Sequence, residues 1–130
     1  MPKGTRILVV EDNPALRSDL KAILEFEGYR VGIAKDGHDA LTRLMLGLVD
    51  VIISDLEMPN MKGAMLRELL RSHLSTLRLP FIMISSGTPP SIDGDIAYAV
   101  LKKTIVINEL ISNIEKLMTW QNISRQRAPD

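Results

Sequence analysis

The chain has 130 residues, its sixteen lysines and arginines balance sixteen aspartates and glutamates, and it contains no cysteine. This length suits one domain with its own hydrophobic core, and the absence of cysteine excludes disulfides, thiolate zinc sites and cysteine nucleophiles. The even charge balance argues against nucleic acid or an anionic membrane as the partner. No apolar stretch has the length of a membrane span or the arrangement of a signal peptide, so we expect a cytoplasmic location.

The first part of the chain alternates patterns typical of strands and helices. Residues 7–10 form a short apolar run that predicts a buried strand, and residues 13–28 carry apolar residues at helical spacing. Residues 29–34 predict a second strand, and a turn at residues 36–37 precedes a second helix that ends near Gly47. The predicted apolar faces of the two helices consist of Leu16, Leu20, Ile23, Leu24, Ala40, Leu41, Leu44 and Met45.

A third strand pattern begins at Val49 and is almost continuously apolar, which is typical of a strand buried on both faces of a parallel sheet. The run stops at Ser54 and Asp55, and Pro59 and Gly63 then favour a loop over an immediate helix. Asp55 is therefore predicted at the carboxyl end of a central strand, where open α/β sheets bind their ligands. This run alone is equally consistent with an aspartate that only ends the strand or caps a helix.

The second half of the chain continues the alternation. Residues 63–74 predict a third helix, residues 79–84 a buried fourth strand that leads to Ser85, and residues 98–102 a fifth strand. Residues 107–120 predict the closing helix, and residues 122–130 are interpreted as a tail or truncated linker beyond a domain of residues 1–121. The predicted apolar faces of these two helices consist of Met65, Leu66, Leu69, Leu70, Leu110, Ile111, Ile114, Leu117 and Met118.

Five strands that alternate with helices predict a flavodoxin-like, doubly wound α/β fold with a parallel sheet in the order 2-1-3-4-5. In that order the ends of four strands meet at one edge, which brings together Glu11, Asp12, Asp55, Ser85 and Lys103. Three carboxylates beside one ammonium repel each other unless a carboxyl pKa rises or a cation binds. Oxygen ligands without cysteine or histidine nearby suit Mg²⁺.

Four motifs at the predicted strand ends resemble the receiver domains of two-component response regulators, the CheY-like superfamily. Each motif alone would be weak, but together they cover the chain from end to end in the right order. The motifs are Leu8-Val9-Val10-Glu11-Asp12-Asn13-Pro14, Asp55-Leu56-Glu57-Met58-Pro59 with Gly63, Leu79-Pro80 through Ser85, and Leu101-Lys102-Lys103.

The resemblance implies a phosphorelay function. Asp55 would accept a phosphoryl group from the phosphohistidine of a sensor histidine kinase or phosphotransfer protein, and the domain would then change its affinity for a downstream protein partner. Lys103 would pair with the acceptor and then with a phosphoryl oxygen, and Ser85 would donate a hydrogen bond to the phosphoryl group. Such a domain acts only on its own phosphorylation and dephosphorylation and takes no small-molecule substrate other than phosphodonors.

The resemblance also implies the ligands of a Mg²⁺ ion. Glu11 and Asp12 correspond to the acidic pair that holds the ion, directly or through water, and Asp55 and the backbone carbonyl of Glu57 supply further oxygens. Phosphoryl transfer needs little from a protein beyond an aligned nucleophile and neutralisation of the charge on the phosphoryl oxygens.

The chain departs from the family near the lysine. Counting back from Asn108 assigns the family's lysine to Lys103, while strand alternation sends Lys102 to the opposite face. Thr104 replaces the usual proline, whose peptide bond is usually cis and aims the lysine. Val100 replaces the usual aromatic residue that changes rotamer on phosphorylation.

The segment between strands 4 and 5 departs most. Pro89, Pro90 and Gly94 disfavour a helix, so the fourth helix of the family is predicted to be absent or shortened to a single turn within residues 88–98. We therefore expect more exposed apolar surface beside it, and we expect that the family's symmetric dimer does not form through this face. The candidates for exposure are Val100, Ile107 and Ile111.

Two alternative functions remain consistent with parts of the sequence. An α/β phosphatase with an aspartyl nucleophile also places an aspartate at a strand end, but usually has a second aspartate two residues later and a substrate-binding cap. Here Glu57 and a short loop stand in those places. The other alternative is a degenerate receiver that only docks, against which the full set of site residues argues. His38 and His73 are predicted to lie far from the site.

Overall fold

The computed structural model describes residues 4–58, 60–73, 76, 78–86 and 98–127. Within these residues the chain forms five strands and four helices. The strands are β1 (Arg6–Val10), β2 (Arg30–Ala34), β3 (Val51–Asp55), β4 (Phe81–Ser85) and β5 (Tyr98–Lys102). The helices are α1 (Pro14–Phe26), α2 (Gly37–Leu46), α3 (Gly63–Arg71) and α4 (Ile107–Arg127).

The strands form one parallel sheet in the order β2-β1-β3-β4-β5, which confirms the predicted flavodoxin-like fold. Alternate residues of β1 enter two separate cores, because successive side chains of a strand point to opposite faces. Ile7 and Val9 pack with α1 and α4, whereas Leu8 and Val10 pack with α2 and α3. The three central strands β1, β3 and β4 are therefore buried on both faces.

The start of α1 explains how the first acidic residues are placed. Asn13 caps the helix, because its Oδ1 accepts hydrogen bonds from the backbone N–H groups of Ala15 at 2.9 Å and Leu16 at 3.2 Å. Pro14 occupies the first turn, where a missing N–H costs nothing. The cap leaves Glu11 and Asp12 in the short connection between β1 and α1.

The last helix is longer than its sequence pattern suggested. The predicted end at Trp120 is wrong, because α4 continues to Arg127 and includes most of the predicted tail. After Trp120 the sequence has no glycine or proline before Pro129, so nothing in it interrupts the helix. The division of the chain at residue 121 stays a prediction, and none of the described helices is both long and apolar enough to cross a bilayer.

Two methionines predicted on apolar helix faces are exposed instead. Met45 lies at the end of α2 and Met65 in the first turn of α3, and both project away from the core. Met65 directly precedes Leu66, which is fully buried, so the apolar stripe of α3 is narrower than its composition suggests. Periodicity identified the helices correctly but not the width of their buried faces.

The predicted loss of the fourth helix falls on residues 87–97, which lie outside the described residues. The flanking apolar positions are described. Val100, Ile107 and Ile111 are all half-buried, whereas their neighbour Val106 is exposed. The expectation that the family's dimer does not form through this face stays a prediction.

Gly63, at the start of α3, allows that helix to approach the end of β3 very closely. A Cβ atom at this position would overlap the backbone oxygen of Asp55 and would lie 2.7 Å from Sδ of Met83. The backbone N–H of Gly63 also donates a hydrogen bond to the carbonyl oxygen of Leu56 at 3.0 Å. The glycine therefore fixes the course of the loop that follows Asp55.

We expect Gly63→Ala to lower the free energy of unfolding by about 2 kcal/mol, because backbone atoms cannot move aside as a flexible side chain does. Urea denaturation measures the effect. Gly32→Ala is the matched control, since its Cβ atom would meet only Cδ1 of Leu8 at an ordinary 3.6 Å. Equal stabilities of the two variants would contradict this account of Gly63.

Candidate functional site

Three carboxylates converge at the carboxyl edge of the sheet. Glu11 and Asp12 directly follow β1, and Asp55 is the last residue of β3. The two strands are neighbours, with Val10 paired to Ser54. One oxygen from each carboxylate lies within 4.8 Å of the others. The sheet order thus brings together acidic residues that are more than forty positions apart in the chain.

Asp55 is the most constrained of the three. It is 3 % exposed, and both of its carboxylate oxygens have partners. Oδ2 accepts a hydrogen bond from Nζ of Lys103 at 3.1 Å, and Oδ1 accepts one from the backbone N–H of Glu57 at 3.2 Å. The side chain is therefore oriented from two sides before any ligand binds.

Lys103 reaches Asp55 from two strands away. Its backbone N–H donates to the carbonyl oxygen of Ser85 at 3.0 Å, which anchors the residue just after β5. Its side chain is half-buried, whereas Lys102 is exposed. The peptide bond between Lys103 and Thr104 is cis. The structure thus places Lys103, and not Lys102, at the acidic cluster.

The cluster changes the protonation of Glu11. The pKa of this carboxyl is raised from its ordinary value of 4.5 to about 7. Burial is the largest cause; the side chain of Asp12 and the charge of Asp55 also raise it, whereas the backbone N–H of Asn13 and the charge of Lys103 lower it. Glu11 is only 2 % exposed, so water cannot solvate its charge well. Near neutral pH a substantial fraction of the Glu11 carboxyls therefore carries a proton, which a bound cation would displace.

Lys103 responds in the opposite sense. Burial alone would lower the pKa of its ammonium, but the hydrogen bond to Asp55 and the negative charges of Asp55, Glu11 and Asp12 raise it above the ordinary value. The lysine is therefore charged at neutral pH. It supplies one positive charge to a site with three carboxylates.

The donor set fits Mg²⁺. Carboxylate oxygens are the ligands this ion prefers, and Asp12 is exposed, so the cluster is open to water on one side, as an ion that keeps part of its hydration shell requires. Burial and the neighbouring carboxylates disfavour the ionised form of Glu11, which raises its pKa, and a divalent cation would favour that form. The predicted contribution of the Glu57 carbonyl stays a prediction; the side chain of that residue is exposed.

Ser85 lies where the motif predicted it, at the end of β4 beside β3. It is almost fully buried, and its backbone pairs with Lys102 across the β4–β5 ladder. His38 and His73 are both exposed and do not belong to the acidic cluster.

Two supporting residues were missed by the sequence reasoning. Arg17, on α1, donates a hydrogen bond from its guanidinium to the carbonyl oxygen of Glu11 at 2.9 Å. The backbone N–H of Asn13 donates to Oε2 of Glu11 at 3.1 Å. Both contacts fix the main chain and the carboxylate of Glu11 against the start of α1. Asn13 is part of the first motif, but the motif did not predict its contact with Glu11. Nothing in the local pattern distinguishes Arg17 from a surface arginine.

The fold and this cluster define a receiver domain, and comparison with known proteins leads to the same class. The family described as response regulator receiver domain matches residues 7–115. The chain belongs to that family.

One of the similar curated proteins is a longer response regulator. The chain is 31 % identical over 127 residues to the response regulator MprA of Mycolicibacterium vanbaalenii, an alignment that covers 96 % of this chain and 52 % of that relative. The chain therefore spans about half the length of this curated relative.

Solved structures agree with the fold. The chemotaxis protein CheY4 of Vibrio cholerae superposes with a TM-score of 0.79 at 27 % identity, covering 88 % of this chain and 98 % of that one. The response regulator protein TrrA of Thermotoga maritima, solved in complex with Mg(2+)-BeF, has a TM-score of 0.76 at 30 % identity, covering 87 % of this chain and 98 % of that one.

The raised pKa of Glu11 predicts a pH dependence of stability. In the metal-free folded chain this carboxyl has a pKa of about 7, against 4.5 as its ordinary value, so the folded state binds more protons than the unfolded state between these values. The free energy of unfolding should therefore fall as pH rises through that window, and saturating Mg²⁺ should reduce the fall because the ion stabilises the ionised carboxylate. Urea unfolding with a chelator and with Mg²⁺ measures both effects.

Glu11→Gln is the control for this prediction, since an amide keeps the shape of the side chain but does not titrate. The variant should show a flatter pH profile and a smaller response to Mg²⁺. An unchanged profile would mean that another group causes the pH dependence.

Proposed function

We propose that this chain is a phosphoryl-accepting receiver of a two-component or phosphorelay system, in which Asp55 takes a phosphoryl group from the phosphohistidine of a sensor histidine kinase or phosphotransfer protein. The observation that carries the proposal is the position of Asp55, which is buried, in contact with Lys103 and close to the carboxylates of Glu11 and Asp12. A carboxylate that only ended a strand would need none of these neighbours.

In the proposed reaction a carboxylate oxygen of Asp55 attacks the phosphorus atom opposite the histidine nitrogen. The new O–P bond forms as the P–N bond breaks, and the electron pair of the broken bond stays on the imidazole. The two hydrogen bonds to Asp55 hold its carboxylate in one orientation, so the attack needs no reorganisation of the nucleophile.

The remaining site residues would neutralise charge. Lys103 leaves Asp55 as the phosphoryl group arrives and pairs with one of its oxygens, and Ser85 donates its hydroxyl hydrogen to another. Glu11 and Asp12 would hold Mg²⁺, which when bound balances the negative charge of the phosphoryl oxygens. The phosphorylated state would then change the affinity of the domain for a downstream protein partner.

We expect acetyl phosphate with Mg²⁺ to add one acid-labile phosphoryl group to the chain and Asp55→Asn to abolish the addition, because an amide oxygen is a poor nucleophile. Intact-mass spectrometry before and after acid treatment measures the occupancy. Asp19→Asn removes an exposed carboxylate of α1 and is the control that should label normally. Full labelling of Asp55→Asn would exclude Asp55 as the acceptor, and an unlabelled but folded parent protein would favour a receiver that only docks.

The two adjacent lysines provide a second test. Lys103→Ala should slow phosphorylation by about 100-fold, the typical cost of removing one aligned donor to a developing oxyanion. Lys102→Ala removes the same side chain from the exposed neighbouring position and should leave the rate within about twofold. The rate is measured by stopping the acetyl phosphate reaction at timed intervals. Equal rates in the two variants would contradict the assignment of Lys103.

A further inference from the structure

A groove of about 330 Å³ lies at the opposite end of the sheet from Asp55. It is bounded by the amino-terminal halves of β1 and β2 and by the connection between α2 and β3. The residues that shape it are Arg6, Leu8, Arg30, Gly32, Arg43 and Leu48. None of these belongs to the proposed phosphoryl site.

The groove carries an excess of positive charge. Arg6 and Arg30 are paired directly across the β1–β2 ladder, in the same register that pairs Leu8 with Gly32. Like charges at directly opposed positions destabilise a sheet. Among the described residues, neither of these two guanidinium groups forms an ion pair. The register therefore concentrates positive charge at this end of the sheet.

The nearby carboxylates do not remove this excess. Oδ2 of Asp50 accepts the backbone N–H of Arg6 at 2.8 Å, which places one negative charge beside the three arginines. Asp39 lies 4.0 Å from Nε of Arg43, at the limit of an ion pair, and both side chains are partly exposed. A contact of this kind contributes little and leaves most of the donors of Arg43 available.

Apolar surface continues from the groove along the end of α2. Met45, Leu46 and Leu48 are 87 %, 79 % and 76 % exposed. Half of the large hydrophobic residues that are highly exposed in the described part of the chain thus lie within four positions. A cluster of exposed apolar side chains of this kind is more typical of an interaction site than of the rest of a protein surface.

Gly32 keeps the groove open. A Cβ atom there would meet only Cδ1 of Leu8, at a distance of ordinary contact, and the backbone of Gly32 has no positive φ. Neither packing nor conformation requires glycine at this position. The absence of a side chain instead leaves space above Leu8 between the arginines.

The geometry points to an interaction surface for an acidic segment of a partner protein, in which carboxylates flank an apolar side chain. The apolar side chain would lie over Gly32 and against Leu48, and the carboxylates would accept paired hydrogen bonds from Arg6, Arg30 and Arg43. A nucleic acid would satisfy the arginines but has no apolar group for Leu48, and the chain as a whole carries no net positive charge. The combination of charge and apolar surface favours a polypeptide.

The surface is separate from the proposed chemistry. It lies at the amino ends of β1 and β2, whereas the acidic cluster lies at the carboxyl ends of β1 and β3. It would therefore hold its partner whether or not Asp55 is phosphorylated. Failure of the phosphorylation experiments would leave this inference intact, and the reverse also holds.

The test uses the full chain labelled with ¹⁵N and a capped peptide of alternating glutamate and leucine as the probe. Amide resonances of Gly32, Gly47 and Leu48 should shift on titration and saturate with a dissociation constant of about 1 mM or below. A peptide with glutamine in place of glutamate and one with alanine in place of leucine should each bind at least tenfold more weakly.

Two variants address the two halves of the surface. Arg30→Glu should weaken binding at least tenfold by reversing a charge, and Gly32→Leu should do the same by filling the groove. Lys116→Glu makes the same change in net charge at an exposed position of α4, which packs on the other face of the sheet, and should bind as the parent does. Circular dichroism and thermal melting establish that each variant is folded.

Several results would overturn the inference. They are the absence of saturable shifts at millimolar peptide, shifts that map outside the groove, binding that survives both Arg30→Glu and Gly32→Leu, and equal or tighter binding of a single-stranded oligonucleotide at the same residues. The last result would assign the surface to nucleic acid.

Discussion

The site depends on one electrostatic problem, the burial of carboxylates at the carboxyl edge of a parallel sheet. Asp55 and Glu11 are almost fully buried, and Asp12 completes the cluster from the surface. Lys103 compensates part of the charge through its contact with Asp55, and a raised pKa lets Glu11 hold a proton. A divalent cation bound to these carboxylates would displace that proton and, under the proposed function, would balance the charge of the phosphoryl group.

Main-chain contacts keep this charged cluster in place. The end of β3 is held by the close approach of α3 at Gly63, and Glu11 is held by Arg17 and the backbone of Asn13. These contacts come from elements on both faces of the sheet. Under the proposed function, this support would hold the acceptor and the acidic pair in register, so the rate of transfer would depend on their alignment and charge.

The two ends of the sheet present different chemistry. The carboxyl ends gather acidic residues and one lysine, whereas the amino ends of β1 and β2 present arginines around an apolar groove. Charge therefore varies strongly over a chain whose net charge is zero. Separate surfaces of this kind would let one small domain exchange a phosphoryl group at one end and hold a partner at the other.

The sequence by itself determined the fold class, the strand order and the identity of the residues in the acidic cluster, because buried strands and strand-end motifs are local patterns that have few arrangements in space. Tertiary structure alone decided how far burial raises the pKa of Glu11 and that Arg17 supports this residue. These features depend on distances between side chains far apart in the chain, and local periodicity carries no such distances. For the same reason the pattern misplaced Met45, since the width of a helix's buried face is set by what packs against it.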